Sequence, residues 1–216
     1  MERCRRTRVW SMSISPGAIA IALLVTAPLV TAPLAAQVCL ASTEASPGWI
    51  ALAYGRAAKD ASVTAIDAGW QFSRTLAVFG DANVTAYPKP DPQRNRLAIG
   101  AAYTFARSER FGACITPGVE DERIGDLHVL RVPVGVSLGW TTTFDTGQRR
   151  LGFQVEPFFV YSREMIAQFS HTSRFVSGRV AVVFGVRRLF VGLQHEQAFD
   201  GDARWHTLGR IGFAFK

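Results

Sequence analysis

Most of the chain beyond residue 47 alternates apolar residues with small or polar ones at every second position. A period of two is that of a β-strand, whose side chains point in turn to the two faces of a sheet. The C-terminal segment shows both faces: Thr207, Ile211, Phe213 and Phe215 on one, and Leu208, Arg210, Gly212 and Ala214 on the other. The pattern predicts an all-β fold.

Ten segments carry the alternation, and most have the roughly 9 to 11 residues that a tilted strand needs to cross a bilayer. They span residues 49–56, 62–73, 76–86, 96–105, 111–120, 129–142, 151–162, 174–186, 189–198 and 205–215. Pro117, Pro133 and Pro157 lie inside them and lack the N–H group that a sheet ladder needs. Local bulges or shorter strands are expected there, and eight strands remain the alternative to ten.

The N-terminus has the three parts of a secretory signal peptide. Arg3, Arg5, Arg6 and Arg8 precede an apolar run over residues 18–30 and a small-residue stretch that ends at Ala36. The apolar run is too short for a membrane anchor and contains Pro28. The sequence predicts cleavage after Ala36, a periplasmic or lumenal segment over residues 37–47, and a β-barrel domain over residues 48–216.

Removal of this peptide changes the charge and the cysteine count. It takes away four arginines and one glutamate, so the formal charge falls from +7 to +4, and no nucleic-acid partner is indicated. Cys39 and Cys114 remain, in a compartment that permits disulfides. They either pair or stay as free thiols. If residues 37–47 fold into the lumen, a Cys39–Cys114 disulfide would attach that segment to the barrel wall.

The composition of the two faces favours a membrane barrel over a soluble one. In segment 129–142, one side is aliphatic and aromatic, and the other carries Arg131, Pro133, Gly135, Ser137 and Gly139. Small residues suit a narrow lumen better than bulk water, and the whole chain has only three lysines. A soluble sandwich or ligand-binding barrel remains the alternative, since alternation alone fits those folds too.

Aromatic residues recur at the ends of the even-numbered segments, on the apolar side. Because amphipathic rings favour the headgroup level of a bilayer, these residues are expected to form a periplasmic aromatic girdle. They are Trp70, Phe72, Tyr103, Phe105, Trp140, Phe184, Phe213 and Phe215. A less complete outer ring is predicted from Tyr54, Phe159, Tyr161, Phe175 and Trp205. Longer outer loops are expected over residues 87–95, 121–128 and 163–173.

The opposite face carries acids and arginines in equal number. The predicted lumen network consists of Asp67, Asp81, Arg96, Glu120, Arg131, Glu156, Arg179, Arg187, Glu196 and Arg210. Because an unpaired charge in a restricted space is costly, these groups are expected to pair and plug the lumen. The alternative is a narrow pore for small solutes, lined by the same charges.

Catalytic patterns are weak in this sequence. Asp200, Asp202 and His206 lie near one rim, but Asp and Gly are also ordinary turn residues. His171 and Ser173 form a triplet with Thr172 that resembles the His-x-Ser element of outer-membrane lipid A deacylases, in which histidine activates serine. That resemblance implies an esterase, with Glu164 or Glu196 as third member. The prediction is no enzyme, no cofactor and no metal.

The signal, the alternating segments and the aromatic C-terminus together resemble small bacterial outer-membrane β-barrel proteins of the opacity-protein-like, eight- to ten-strand group. The resemblance implies an outer-membrane location, outer-membrane lipids as partners, insertion by the barrel-assembly machinery and a monomeric state. It also implies roles from envelope stability and adhesion to small-solute passage. Lys216 departs from the terminal aromatic residue of such barrels, so Phe215 is expected to serve in its place. The leading hypothesis is a non-enzymatic structural or surface-interaction role.

Overall fold

A computed structural model describes residues 48–88, 92–144, 149–199 and 204–215. The predicted signal peptide and the segment over residues 37–47 lie outside these ranges. No helix in the described part of the chain is long and apolar enough to span a membrane.

Ten antiparallel strands form one closed barrel, in which each strand pairs with its neighbours in sequence and β1 pairs with β10. The strands are β1 Gly48–Ala57, β2 Ser62–Gln71, β3 Leu76–Ala86, β4 Arg94–Arg107, β5 Phe111–Ile124, β6 Leu127–Phe144, β7 Arg149–Ile166, β8 Phe169–Val186, β9 Leu189–Ala198 and β10 Trp205–Phe215. The all-β, up-and-down barrel is confirmed with ten strands, and the eight-strand alternative is wrong. Closure leaves no free sheet edge.

Two connections that the sequence predicts as outer loops are continuous strand. Residues 121–128 and 163–173 belong to the β5–β6 and β7–β8 hairpins, whose turns occupy only residues 125–126 and 167–168. Gly125 adopts a left-handed φ of 57°, as a tight hairpin requires. The expectation of long loops fails because apolar alternation stops where a strand leaves the bilayer, whereas backbone pairing continues beyond it.

Each proline inside a strand interrupts one ladder without shifting its register. Between β6 and β7 the pairing passes from Gly135↔Phe158 to Leu138↔Val155, so Pro157 and Val136 are not paired. Corresponding gaps face Pro117 in the β4–β5 ladder and Pro133 in the β5–β6 ladder. Proline has no N–H to donate, so the carbonyl opposite loses its partner. The bulges expected at these prolines do not occur; the one register shift in the described ladders lies elsewhere, between Thr104 and Ala106.

The rim that holds both ends of the described barrel, here called the terminal rim, is packed on its inner side. Trp49 and Phe190 make an edge-to-face contact with ring centroids 6.4 Å apart. Phe79 packs on the buried pair Ala102 and Cys114. A Cβ atom at Gly212 would lie 2.1 Å from the Phe190 ring, so this close approach requires glycine.

The outer wall is apolar and exposed. Side chains such as Leu52, Leu97, Ile99 and Ile211 are 61% to 66% exposed on the barrel exterior. Monomeric soluble proteins rarely expose so extensive an apolar surface. The side chains that would form the core of a soluble barrel therefore face outward, and the polar network faces inward.

Candidate functional site: the lumen

The interior carries a ring of charged side chains, here called the charged belt. Strand alternation turns them inward, and nine of the ten strands contribute to the belt or to its hydrogen bonds. The belt consists of Asp67, Asp81, Arg96, Glu120, Glu122, Arg131, Glu156, Arg179, Glu196 and Arg210. Strand β1 turns Trp49 and small residues toward the interior instead.

One part of the belt runs across β3 to β6 as a chain of ion pairs. Arg96 lies 3.0 Å from Asp81 and 3.6 Å from Glu120. Arg131 lies 3.9 Å from Glu120 and 2.5 Å from Glu122. Each arginine thus bridges two carboxylates, and the chain follows the wall between neighbouring strands.

A second part centres on Arg179 and covers β7 to β9. The guanidinium lies 2.8 Å from Glu196 and 3.3 Å from Glu156, while the side chain passes 5.4 Å above the Phe158 ring. Glu156 also accepts a hydrogen bond from the Thr116 hydroxyl at 2.6 Å. This bond joins β7 to β5 across the intervening strand β6.

A third contact crosses over β1. Arg210 on β10 places its Nε atom 3.2 Å from the carboxylate of Asp67 on β2. The pair lacks hydrogen-bond geometry, since neither of these two atoms has a hydrogen-bond partner. It is an electrostatic contact in a confined space, between the two strands that flank β1.

Nine of the ten charged residues predicted for the lumen face the interior, and Arg187 does not. Arg187 occupies the two-residue turn between β8 and β9, with an exposed side chain and a φ of 55°. The prediction for Arg187 is wrong because the β8 alternation ends one residue earlier, at Val186.

Sequence reasoning missed Glu122, which is 6% exposed and forms the shortest ion pair of the belt with Arg131. It has the same parity as Glu120 on β5, so continued alternation was the available signal. Ending the predicted segment at residue 120 left it out. Gln154 and His206 were also missed as neighbours of the belt; His206 lies 3.8 Å from Glu196.

The belt divides the interior into unequal spaces. At its own level the cavity among Asp67, Arg96, Glu156 and Arg179 holds about 100 Å³. On the side away from the terminal rim, a cavity of about 580 Å³ opens toward the opposite rim. This larger space, here called the vestibule, has Arg96 and Glu120 in its floor.

The predicted aromatic girdle residues stand at strand ends by the terminal rim. Trp70, Tyr103, Trp140 and Phe213 are exposed on the outer surface, and Trp70 packs on Phe215 with centroids 6.0 Å apart. Phe72 and Phe105 are exposed beside them, and Phe184 is half-buried. An apolar band that ends in aromatic side chains is the surface of a barrel that spans an outer membrane.

The second aromatic ring needs one correction. Tyr54, Phe159, Tyr161 and Trp205 are exposed on the exterior. Phe175 instead lines the vestibule, because it has the parity of Ser177 and Arg179 on β8. Above this ring the outer face becomes polar, with a hydrogen bond between the side chains of Asp121 and His128.

The catalytic candidates do not form a defined site. His171 and Ser173 occupy alternate positions of β8 beyond the apolar band, and Glu164 is the cross-strand neighbour of His171. His171 is exposed. Asp200 and Asp202 lie outside the described ranges, and no group of metal-binding side chains occurs within those ranges.

Cys114 is fully buried on the inner side of β5 and forms a disulfide bond. Its predicted partner, Cys39, lies outside the described residues. The pairing of these two cysteines therefore stays a prediction.

No family model and no curated protein matches this chain. Among solved structures, a NanC porin matches with 12% identity and a TM-score of 0.42, covering 77% of this chain and 99% of its own. The outer membrane protein Omp33 of Acinetobacter baumannii has 8% identity and a TM-score of 0.39, covering 79% and 98%. A KdgM porin has 8% identity and a TM-score of 0.40, covering 77% and 99%. Similarity at this level carries no argument about solute or activity.

Proposed function

We propose that this protein is a monomeric, non-enzymatic outer-membrane barrel with a structural or surface-interaction role, whose lumen is closed to the passage of solutes. The proposal includes kinship with the opacity-protein-like group, insertion by the barrel-assembly machinery and outer-membrane lipids as partners. The exposed apolar wall and the aromatic strand ends support the membrane part.

The difference in volume between the two interior spaces is the observation that supports a closed lumen. About 580 Å³ is open above the belt, whereas about 100 Å³ remains at its level, enough for several waters but not for a solute of sugar size. Below the belt, Trp49, Phe79 and Phe190 fill the terminal side with ring atoms. The lumen thus narrows from one rim to the other.

The two rims of the barrel indicate its orientation in the membrane. Strands β5 to β8 project furthest at the rim opposite the chain ends, where polar residues such as Arg123 and Arg163 are exposed. Long polar projections belong outside the cell, and short turns belong in the periplasm. The vestibule then opens to the cell exterior, and the packed terminal rim lies in the periplasm.

A narrow pore is the second candidate, supported by the vestibule itself. The ion pairs of the belt follow the wall between neighbouring strands rather than crossing the lumen at every level. Side-chain rotation could then widen the passage without breaking the barrel.

Single-channel recording in planar bilayers tests the proposal. We expect no conductance steps from folded wild-type protein, and steps from a variant in which the belt and the terminal packing are both opened, by Arg179→Ala, Phe190→Ala and Trp49→Ala. Heat-modifiable electrophoretic migration must show that both proteins are folded. Regular, well-resolved steps from wild type would overturn the closed lumen and favour the pore.

A further inference from the structure

We infer that the terminal rim binds anionic phospholipids through a set of arginines at the level of the lipid headgroups. This inference deepens the proposed partnership with outer-membrane lipids. It rests on the proposed orientation only for the choice of the periplasmic leaflet. The residues concerned lie in the turns of the terminal rim, outside the belt and the vestibule.

Five exposed arginines stand in or beside three turns of the terminal rim. They are Arg74 in the β2–β3 turn, Arg107 and Arg110 at the β4–β5 turn, and Arg187 and Arg188 in the β8–β9 turn. No carboxylate of the described residues forms an ion pair with any of the five. Their guanidinium groups are therefore accessible to the phosphate of a lipid, which they can bind by charge-assisted hydrogen bonds.

The connections at the two rims differ in the sign of their charge. At the terminal rim, residues 72–75, 107–110, 145–150 and 187–188 carry seven arginines and two acids. Glu44, in the segment before β1, is a third acid, which leaves a formal excess of four positive charges.

The opposite rim has an acidic excess by the same count. Five lysines and arginines and eight acids occur over residues 58–61, 87–93, 121–128, 163–173 and 199–204. The terminal rim, rather than the opposite one, therefore attracts an anionic partner.

The spacing from the aromatic girdle places the arginines at the depth of lipid phosphates. Arg74 follows Phe72 by two residues, and Arg107 follows Phe105 by two. Two residues of extended chain advance by at most about 7 Å. The headgroup layer on one side of a bilayer is about 5 to 7 Å thick. With the rings at the edge of the hydrocarbon core, the guanidinium groups lie among the headgroups.

The backbone of each turn is held by a neighbouring strand. The Thr75 carbonyl accepts a hydrogen bond from the Thr104 N–H at 2.8 Å, and the Arg110 carbonyl accepts one from the Thr141 N–H at 2.7 Å. The Arg188 carbonyl accepts one from the Ala214 N–H at 2.8 Å. The depth of the arginines is thus set by the barrel before a lipid binds, which lowers the entropy cost of binding.

The surroundings of the arginines favour a lipid as the partner. The three turns are separated from one another around the closed ring of strands, and lipids surround such a barrel on every side. Below the turns, exposed aromatic side chains such as Trp70 and Tyr103 provide an apolar surface for acyl chains. An anionic phospholipid matches both the positive turns and the apolar wall beneath them.

Fluorescence quenching in vesicles tests the inference on a single-tryptophan protein that retains Trp70, which is exposed at this rim. The other tryptophans are replaced by Phe. The vesicles contain equal amounts of phosphatidylcholine and phosphatidylglycerol, with bromine on one lipid or the other. We expect brominated phosphatidylglycerol to quench Trp70 more strongly, as a local enrichment of about threefold or more that falls as salt is added.

Two arginine variants of this protein locate the effect. Replacing all five arginines, by Arg74→Gln, Arg107→Gln, Arg110→Gln, Arg187→Gln and Arg188→Gln, should make the two lipids quench equally. The matched control changes exposed arginines toward the opposite rim, by Arg123→Gln, Arg163→Gln and Arg174→Gln. It should keep the enrichment of the anionic lipid.

Equal quenching of Trp70 by the two brominated lipids in folded protein with all its arginines would overturn the inference alone. So would an enrichment that persists in the folded five-arginine variant. If that variant fails to fold, the lipid comparison and its salt dependence in the protein with all its arginines still decide. No quenching by either lipid would overturn the placement of the outer wall in the bilayer as well, so the two failures are distinguishable.

Discussion

Arg179 is the residue on which the belt depends most. Its guanidinium contacts Glu156 and Glu196, which are both largely buried. Removing one partner of a buried ion pair leaves an uncompensated charge, which usually costs more than the pair itself contributes. Arg179→Gln should therefore lower the free energy of unfolding by about 3 kcal/mol, measured by urea titration in detergent micelles.

Two variants separate lost pairing from a general loss of packing. Arg163→Gln changes an exposed arginine and should alter stability by less than about 0.5 kcal/mol. Adding Glu196→Gln to Arg179→Gln removes one of the stranded charges and should restore part of the loss. An Arg179→Gln protein as stable as the Arg163→Gln control would contradict the role of the belt.

At single residues, sequence alternation was sufficient to predict which side chains of the belt face the lumen, except near the ends of the predicted strands. Glu122 was missed and Arg187 was wrongly included, because each lies within two residues of a predicted strand end. The partners within the belt could not be predicted from the sequence either. Thr116 meets Glu156 across an intervening strand, and such a contact depends on the stagger of the barrel.

At the scale of a strand, the three prolines mark the weakest ladders. Pro157 faces outward on β7 and leaves the Val136 carbonyl without a ladder donor. Pro157→Val should supply that donor and raise the free energy of unfolding by about 1 kcal/mol. The rigidity that proline gives the unfolded chain offsets part of this gain. The measurement is the temperature at which folded migration is lost on heating.

Pro92→Val is the control, because Pro92 precedes β4 and belongs to no strand. The Pro92→Val variant also loses a pyrrolidine ring, but it restores no ladder hydrogen bond. We expect Pro157→Val to be more heat-resistant than Pro92→Val. If both variants melt together below wild type, the ladder gap is not a source of instability.

Strand number and most bounds followed from period-two alternation, and β3, β9 and β10 end where the sequence predicts. The extensions of β5 to β8 could not be predicted in the same way. Beyond the bilayer both faces of a hairpin meet water, so apolar alternation disappears although pairing persists. The turns at Gly125 and Ala167 are set by pairing register rather than by loop composition.

For the whole molecule, the disulfide of Cys114 decides how the segment before the barrel is attached. We predict that the mature protein contains a Cys39–Cys114 bond, since Cys4 belongs to the segment that is predicted to be removed as a signal peptide. Iodoacetamide should then modify neither cysteine in unfolded, unreduced protein, and both after reduction. Intact-mass analysis gives the result. Two modified thiols without reduction would contradict the pairing.

The class and location of the whole molecule were predictable because lipid and lumen impose opposite demands on alternate residues. The charged residues also led to the prediction of a plugged lumen, but the packing of the terminal rim could not be predicted, because it depends on how side chains such as Trp49 and Phe190 fill the interior. Trp49 is an example. Its segment predicts a strand, but the contact of its indole with Phe190 arises only when the barrel closes.

The central claim is that one face of the strands meets lipid while the other encloses the belt. Two single-tryptophan variants, retaining Trp140 on the outer face or Trp49 inside, test it most directly in vesicles containing brominated lipid. The remaining tryptophans are replaced by Phe. We predict strong quenching of Trp140 fluorescence and little quenching of Trp49. Equal quenching of both, or none of Trp140 in folded protein, would contradict the account.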